Sequence, residues 1–302
     1  MVRLELSTQL SYEIFDAPCS FIFNVEAAHT PRQTVVRELL QLPPGVQSTH
    51  YTDPVTRSKF LRLTAGPGLF TLDYTATLDL DVWQADPASL VEVSPLHVPG
   101  DVLPYLVPSR YCESDRLMSM AYAEFGGLPP GYSRAQAICD WVGQHVRFQS
   151  NSSHSGTSAL DTVVDRVGVC RDFAHLMVAL CRALSIPARM ASGMDYGADP
   201  ALGPLDFHAY VEVYLAEREK QGGSGPEPGE GRWVLFDPAR TAIPMAFVRL
   251  GTGRDAADIA FATLYGQVRA HQPVLSMKPV PNGAGVLVVP HPSAMALSTD
   301  GR

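Results

Sequence analysis

Three features that this 302-residue sequence lacks exclude several classes of protein. It has no stretch of about 18 uninterrupted apolar residues that would cross a membrane as a helix. It contains 23 lysines and arginines and 31 aspartates and glutamates, which gives a net charge of −8. The basic residues form no run, which argues against nucleic acid or an anionic membrane as a partner. Residues 1–10 lack the continuous apolar core of a signal peptide, so we expect a cytoplasmic protein.

Cysteine is also scarce. The five cysteines lie far apart, at positions 19, 112, 139, 170 and 181, and form no C-x-x-C pair. This odd, scattered set argues against a disulfide framework and against a structural zinc site. We interpret Cys19, Cys139 and Cys181 as small apolar core residues. Cys170 differs from them, because it follows a glycine turn and begins a long apolar helical segment that ends at Pro187.

Alternation of polar and apolar residues dominates the first 85 positions. Predicted strands cover residues 2–15, 20–26, 59–64 and 68–80. Five prolines then punctuate residues 85–110, which favours an extended connector over a helix. The pattern predicts an all-β N-terminal domain with its connector over residues 1–110.

Helical signals begin after the connector. Ser114-Asp115 can cap a helix that runs to Phe125, and Ser133 with Gln136 has the spacing of a capping box for a helix over residues 133–147. A second S-x-x-D start, Ser158 to Asp161, predicts a short helix that leads to the Cys170 turn. Apolar residues cover most of the circumference of the helix that Cys170 begins, which predicts a central, buried helix.

Strand signals follow the cysteine helix at residues 188–193, 207–215 and 232–237, and one more extended run reaches about residue 275. Residues 221–231 have the composition of a mobile loop. The pattern predicts a second domain over residues 111–275, in which a sheet surrounds the cysteine helix. For residues 276–302 we expect one marginal strand around Val286–Val289 and a flexible tail.

Cys170, His208 and Asp237 meet the requirements of thiol-based acyl transfer. In that chemistry a thiolate attacks a carbonyl, an imidazole takes and returns protons, and a carboxylate orients the imidazole. The unpaired N–H groups and positive dipole end of a helix start favour a thiolate. If the strands at 207–215 and 232–237 pair antiparallel, His208 lies beside Asp237. One face of the first strand, with His208, Tyr210, Glu212 and Tyr214, can then face a cleft.

Less specific interpretations apply to the neighbouring polar and aromatic residues. We expect His175 to be structural and Asp172 to stabilise the helix dipole. Asp206 and Glu212 either orient substrate amines or are solvated, and Tyr210 and Trp233 are more often packing residues. Zinc ligation by Cys170 and His208 lacks a third and fourth ligand at a recognisable spacing.

Three segments resemble the signature motifs of the transglutaminase-like superfamily, which is related to papain-type cysteine proteases. They are Gly168-Val-Cys-Arg-Asp-Phe-Ala, Asp206-Phe-His-Ala-Tyr-Val-Glu-Val and Trp233-Val-Leu-Phe-Asp-Pro238. Residues 108–112 and 253–258 also resemble segments of bacterial members, which commonly carry a β-rich N-terminal region. The resemblance implies a papain-like α+β fold in which the central cysteine helix packs on an antiparallel sheet. It also implies Cys170 as nucleophile, His208 as base and Asp237 as its partner.

The same resemblance implies acyl transfer on an amide: peptide or amide hydrolysis, deamidation or transglutamination. No D-x-[DN]-x-[DN]-G calcium loop is present, so no metal and no cofactor are expected. The backbone N–H of Cys170 is a candidate oxyanion donor, and a second donor is unassigned. We predict a protein or peptide substrate and prefer hydrolysis to crosslinking. The alternative is a catalytically inactive interaction module.

Overall fold

The computed structural model describes residues 1–194, 196–197, 205–218, 231–241 and 243–300. The first strands are β1 (Val2–Ile14), β2 (Cys19–Phe23), β3 (Gln33–Gln41), β4 (Ser48–Thr52), β5 (Lys59–Ala65), β6 (Gly68–Leu80), β7 (Trp83–Ala85) and β8 (Leu90–Glu92). The elements up to the cysteine helix are α1 (Met118–Phe125), α2 (Tyr132–His145), β9 (Arg147–Phe148), α3 (Ala159–Asp165), β10 (Val167–Gly168) and α4 (Cys170–Ala183). Those after it are β11 (Ala188–Met194), β12 (Phe207–Glu217), β13 (Gly231–Phe236), β14 (Val248–Gly253), α5 (Ala256–Ile259), β15 (Ala262–Tyr265), β16 (Val268–Ala270), β17 (Val274–Pro279) and β18 (Ala296–Ser298).

Two antiparallel sheets form a β-sandwich from strands of the N-terminal region and three later strands, β15, β16 and β17. One has the order β16-β1-β6-β3, with β17 also paired to β1, and the other has the order β15-β2-β5-β4. From Val2 to Ile14 every second side chain of β1 is buried, which is the alternation expected of a strand with one face on a core. An aromatic cluster with ring centroids 5.2 to 6.4 Å apart fills that core, formed by Tyr12, Phe21, Phe23 and Phe70.

The second unit consists of a sheet and the helices packed on it. The sheet has the order β13-β12-β11-β14, and β8 from the proline-rich connector pairs with the far end of β12. All residues of α4 from Asp172 to Ala183 are buried between this sheet and the apolar sides of α1, α2 and α3. The predicted α+β fold, with a central cysteine helix on an antiparallel sheet after a β-rich N-terminal region, is confirmed.

The other face of this five-stranded sheet packs against the β-sandwich. Met194, Val248 and Leu250 belong to the apolar core of the sandwich. Gln33 of β3 joins the two units, because its side-chain amide donates to the carbonyl of Arg249 and accepts from its N–H, both at 2.8 Å. Both faces of β12 are therefore covered, and the predicted open face along its whole length is wrong: Tyr210 and Glu212 are fully buried.

Two predicted helix starts differ from the structure. Helix α1 begins at Met118 rather than at Ser114-Asp115, and no side chain caps it. Helix α2 begins after Gly131, whose φ of 128° favours glycine, while Gln136 donates to Asp140 instead of forming a capping box. The box that opens α3 is present, since Asp161 accepts from the N–H of Ser158 at 2.9 Å.

The C-terminal residues contain more paired structure than expected. The predicted strand at Val286–Val289 is absent from the structure, whereas β17 pairs with β1 and β18 pairs with β7. The three-part division of the chain at residues 110 and 275 stays a prediction. Residues 221–230 of the expected mobile loop lie outside the described residues. In the described part of the chain, no helix has the length and apolar character needed to span a membrane.

Candidate active site

The turn before Cys170 is held by backbone pairing and close packing. Strand β10 pairs in parallel with β9, and Cys170 follows as the first residue of α4. A Cβ at Gly168 would lie 2.8 Å from the Cβ of Asp172, so the chain needs glycine there. Asp172 accepts from the N–H of Val169 at 2.9 Å, which closes the first turn of the helix. The thiol of Cys170 is thereby fixed at the helix start, half-buried.

Asp172 also ties a neighbouring loop to the helix start. It is fully buried, and its second oxygen accepts from the Ser153 hydroxyl at 2.9 Å and from the Arg171 guanidinium at 3.1 Å. Arg171 in turn donates to the carbonyl of His154 at 2.7 Å. The predicted role at the helix dipole is compatible with this position, but the hydrogen bonds assign Asp172 the further role of joining α4 to residues 153–154.

His208 and Asp237 come from neighbouring strands. Strands β12 and β13 pair antiparallel with Val211 opposite Phe236, as predicted, so the residue after β13 lies near the start of β12. Nε2 of His208 is 3.0 Å from Oδ1 of Asp237. Because a carboxylate only accepts, Nε2 carries the hydrogen. The carboxylate also accepts from the N–H groups of Ala239 at 3.1 Å and Thr241 at 3.0 Å, which hold it in place.

The same imidazole reaches the thiol of Cys170. Burial lowers the pKa of His208, but the charge of Asp237 and hydrogen bonds with Asp237 and Cys170 outweigh it, so this pKa lies well above the ordinary value. The sulfur is also 3.9 Å from the carbonyl oxygen of Phe207. The hydroxyl oxygen of Thr241 lies 3.4 Å from Nδ1 of His208. The three predicted site residues are thus brought together from one helix start and two strands.

Aromatic side chains pack against the imidazole of His208. The ring of Tyr210 meets that of His208 edge-on, with centroids 4.6 Å apart and planes at 76°, and Tyr210 packs on Phe247 at 4.3 Å. Gly193 of β11 lies opposite His208 in the sheet. A Cβ at Gly193 would lie 2.1 Å from the carbonyl oxygen of Val248 and 2.2 Å from the Phe247 ring, so this position admits only glycine.

Two polar residues near the site are structural. His175 is fully buried, stacks on Tyr111 with centroids 5.1 Å apart, and accepts from the N–H of Ala256 at 3.2 Å. Burial lowers its pKa to about 3, so it is neutral, and the structural prediction is confirmed. Glu212 is buried between the guanidiniums of Arg189 and Arg249, so neither the solvated nor the substrate-binding prediction applies to it.

Sequence reasoning missed two contributors, Thr241 and Ser153, and the position of a third, Tyr210. Thr241 and Ser153 hold Asp237 and Asp172 through contacts that depend on chain folding, and no local pattern marks them. Tyr210 was expected to pack, and the structure shows that it packs on the site histidine itself. Among the residues that the structure describes, no three His, Cys, Asp or Glu side chains are grouped so that they could hold a metal ion.

A thiol at the start of a buried central helix, beside an imidazole on the sheet that the helix covers, defines the papain-like class of cysteine-nucleophile folds. Residues 120–238 match the family model of the transglutaminase-like superfamily, and residues 2–100 match that of the bacterial transglutaminase N-terminal domain. A solved structure from Cytophaga hutchinsonii, described as a candidate cysteine protease, is 36% identical. Its TM-score is 0.86, over 98% of this chain and 97% of that chain.

The chain therefore belongs to the transglutaminase-like superfamily. Among curated relatives, an uncharacterized protein of Mycobacterium leprae is 22% identical over 272 residues, which are 86% of this chain and 91% of that protein. An uncharacterized protein of Mycobacterium tuberculosis is 29% identical over 118 residues, 37% of this chain and 35% of that protein. The family and the fold are those of cysteine-based acyl transfer in general.

Proposed function

We propose that this protein is an enzyme that hydrolyses an amide bond of a protein or peptide through Cys170, His208 and Asp237. The observation that supports the proposal most is the double engagement of His208, which hydrogen bonds to Asp237 through Nε2 and interacts with the Cys170 thiol. A buried histidine that merely fills space has no need of a carboxylate and a thiol together. The raised pKa of His208 favours the protonated, imidazolium form of its ring.

Acylation follows from these positions. The sulfur of Cys170 attacks the carbonyl carbon, and the C–N bond breaks as His208 gives its Nδ1 proton to the leaving amine. Nδ1 is the nitrogen for this transfer because Nε2 is occupied by Asp237. The N–H of Cys170, in the first turn of α4, is the proposed donor to the oxyanion. Asp237 keeps the ring oriented and stabilises its positive charge.

Deacylation reverses the proton path. Water enters beside His208, which now takes a proton through Nδ1 while the water oxygen attacks the thioester carbon. The C–S bond breaks, the acid leaves, and the thiolate and imidazolium are restored. An amine in place of water would give transfer, and the choice depends on how well the closed site excludes water. We prefer hydrolysis, with cytoplasmic peptides or proteins as the substrate class.

A two-signal assay tests the proposal. The protein is incubated with a glutamine-containing peptide library and a labelled primary amine, and released ammonia, new peptide termini and incorporated label are measured separately. Ammonia or new termini without label supports hydrolysis, whereas incorporated label means transfer. None of the three signals, from a protein that is folded, would contradict the enzyme proposal and favour the inactive interaction module.

Two variants make the assay specific. Cys170→Ser is expected to abolish every signal, since a hydroxyl without a thiol's acidity is a poor nucleophile beside this imidazole. Cys181→Ser is the matched control, because Cys181 lies on the same helix but is fully buried in the apolar core. Burial raises the pKa of Cys181, which keeps it an unreactive thiol. Equal losses in both variants would contradict the assignment of the nucleophile.

A further inference from the structure

Asp206 lies immediately before β12, two residues from His208. Side chains two positions apart on an extended chain project from the same face, so its carboxylate is on the side of the imidazole. Phe207, between them, approaches the nucleophile with its carbonyl oxygen, which is 3.9 Å from the sulfur of Cys170. The ring of Phe207 stacks on Phe261 with centroids 4.7 Å apart. This stack fixes the start of the strand, and with it the position of Asp206.

The two oxygens of the Asp206 carboxylate differ in their hydrogen bonds with the described residues. Oδ1 accepts from the N–H of Phe207 at 2.7 Å, which restricts the side chain to one orientation. In the described part of the chain, Oδ2 has no hydrogen-bond donor and no lysine or arginine pairs with Asp206. The residue is exposed at the start of the strand. Asp237, by contrast, uses both oxygens within the protein.

The charge balance of the site favours a cation near Asp206. Partial desolvation raises the pKa of Asp206, while the Phe207 N–H and the positive charge of His208 lower it, so the two side chains are within electrostatic reach. Asp206 adds a negative charge near this imidazole, and a positive charge brought by the substrate would compensate it.

We propose that Asp206 is a specificity-determining residue whose Oδ2, which has no donor among the described residues, binds an ammonium group that the substrate carries near the reacting amide bond. The inference rests on the proposed function, because Asp206 lies on the same side of the site as His208, which exchanges its proton with the substrate. Amides with a protonated nitrogen close to the reacting carbonyl are the substrate class that this position selects. A carboxylate facing a charged donor adds a charge-assisted hydrogen bond to the attraction.

Charged thiol reagents test this without a known substrate. The probes are 2-aminoethyl, ethyl and 2-sulfonatoethyl methanethiosulfonate, which carry positive, zero and negative charge. Each forms a mixed disulfide when the thiolate attacks the sulfenyl sulfur and methanesulfinate leaves. Rates at Cys170 are measured by mass spectrometry for the native protein and Asp206→Asn. The ratio of the cationic to the neutral rate is expected to be about five- to tenfold lower in Asp206→Asn than in the native protein. The anionic sulfonate reagent is expected to react faster with the variant than with the native protein.

Three controls separate charge recognition from folding. Glu217→Gln removes an exposed carboxylate from the other end of the same strand, roughly 36 Å from Asp206 at about 3.3 Å per residue, and is expected to keep the native ratio. Asp206→Glu keeps the charge and is expected to retain a cationic preference. Cys170→Ser gives the background of the four buried cysteines.

The two proposals fail in different ways. An unchanged rate ratio in Asp206→Asn, or an equal fall in Glu217→Gln, would overturn the role of Asp206 whatever the absolute rates are. Absolute rates at Cys170 no faster than those of an unperturbed thiol with all three reagents would contradict the proposed nucleophile instead. Because the ratio compares reagents on one protein, it can be measured even when every rate is slow.

Discussion

Nε2 of His208 and Oδ1 of Asp237 are 3.0 Å apart, and the bond joins the start of β12 to the residue that follows β13. Antiparallel pairing of two adjacent strands is what brings a base and its orienting carboxylate within reach although 29 residues separate them. Two further N–H groups, from Ala239 and Thr241, hold the carboxylate. The geometry of the proposed site therefore depends on this pair of strands.

Replacing Asp237 with asparagine is expected to lower the pKa of His208. Burial disfavours the imidazolium, and the variant loses the negative charge that outweighs burial. An NMR titration of the His208 ring measures the change. Asp81→Asn, an exposed carboxylate in the sandwich region, serves as control and should leave the titration unchanged. A His208 pKa that is the same in Asp237→Asn and the native protein would contradict the pairing.

The pair also gives the free energy of unfolding a pH dependence of defined sign. The pKa of His208 is raised in the folded state, so its stabilising contribution is complete below the ordinary histidine pKa of about 6.5. The contribution declines as the pH rises through the folded-state value. Urea unfolding across this range should show a smaller decline for Asp237→Asn than for the native protein. A decline of equal size in both proteins would rule out this linkage.

His175 is expected to produce the opposite dependence. Its pKa is lowered to about 3 by burial, so the unfolded chain binds a proton that the folded protein does not. Stability should fall as the pH drops from about 6.5 toward 3, by as much as roughly 4 kcal/mol. His175→Gln should show a shallower acid limb in denaturant unfolding, whereas His154→Gln, at an exposed position, should not. Identical acid limbs in the two variants would be evidence against this account.

Glu212 is the carboxylate whose loss should cost the most stability. It accepts from Arg189 at 2.7 Å and from Arg249 at 3.1 Å, and Asp300 pairs with the same two guanidiniums. Glu212→Gln leaves buried positive charge uncompensated, which should destabilise the fold by about 3–5 kcal/mol. Glu5→Gln, which removes an exposed pair with Lys278, should cost less than about 1 kcal/mol. Comparable losses in urea unfolding would refute the role of the buried cluster.

Gly193→Ala is expected to disturb the site through packing. The added methyl group would overlap the carbonyl of Val248 and the ring of Phe247, which supports Tyr210 beneath His208. We expect a loss of about 1–3 kcal/mol in unfolding free energy and a slower reaction of Cys170 with iodoacetamide. Gly127→Ala meets no atom within 4 Å and should change neither quantity appreciably. Native-like reactivity in Gly193→Ala would contradict the packing argument.

The proposed site could be predicted because its signals are local. Cys170 follows a glycine turn at the start of an apolar helix, and His208 and Asp237 lie at the ends of two strands that follow each other along the chain. Adjacent strands commonly pair antiparallel, so their facing ends were foreseeable. The hydrogen bonds that orient Asp237 come from the N–H groups of Ala239 and Thr241, in a turn whose geometry no residue pattern predicts.

Features that depend on distant segments could not be predicted. Strand β14 contains Gly251 and Gly253, a local pattern that favours a turn, yet the segment forms a strand because it pairs with β11. Strands β15 and β17 return to pair with β2 and β1, more than 200 residues earlier in the chain. The cluster around Glu212 draws charges from β11, β12, β14 and the segment after β18, and each charge alone resembles a solvated residue.

Trapping the covalent intermediate tests the central claim most directly. The protein is mixed with the glutamine peptide library, quenched in acid within milliseconds to seconds, and digested for peptide mapping by mass spectrometry. The account predicts an acyl group in thioester linkage on Cys170, which hydroxylamine removes, and which accumulates less in His208→Ala. An acyl group on another residue, or no adduct on a folded protein that still consumes substrate, would contradict it.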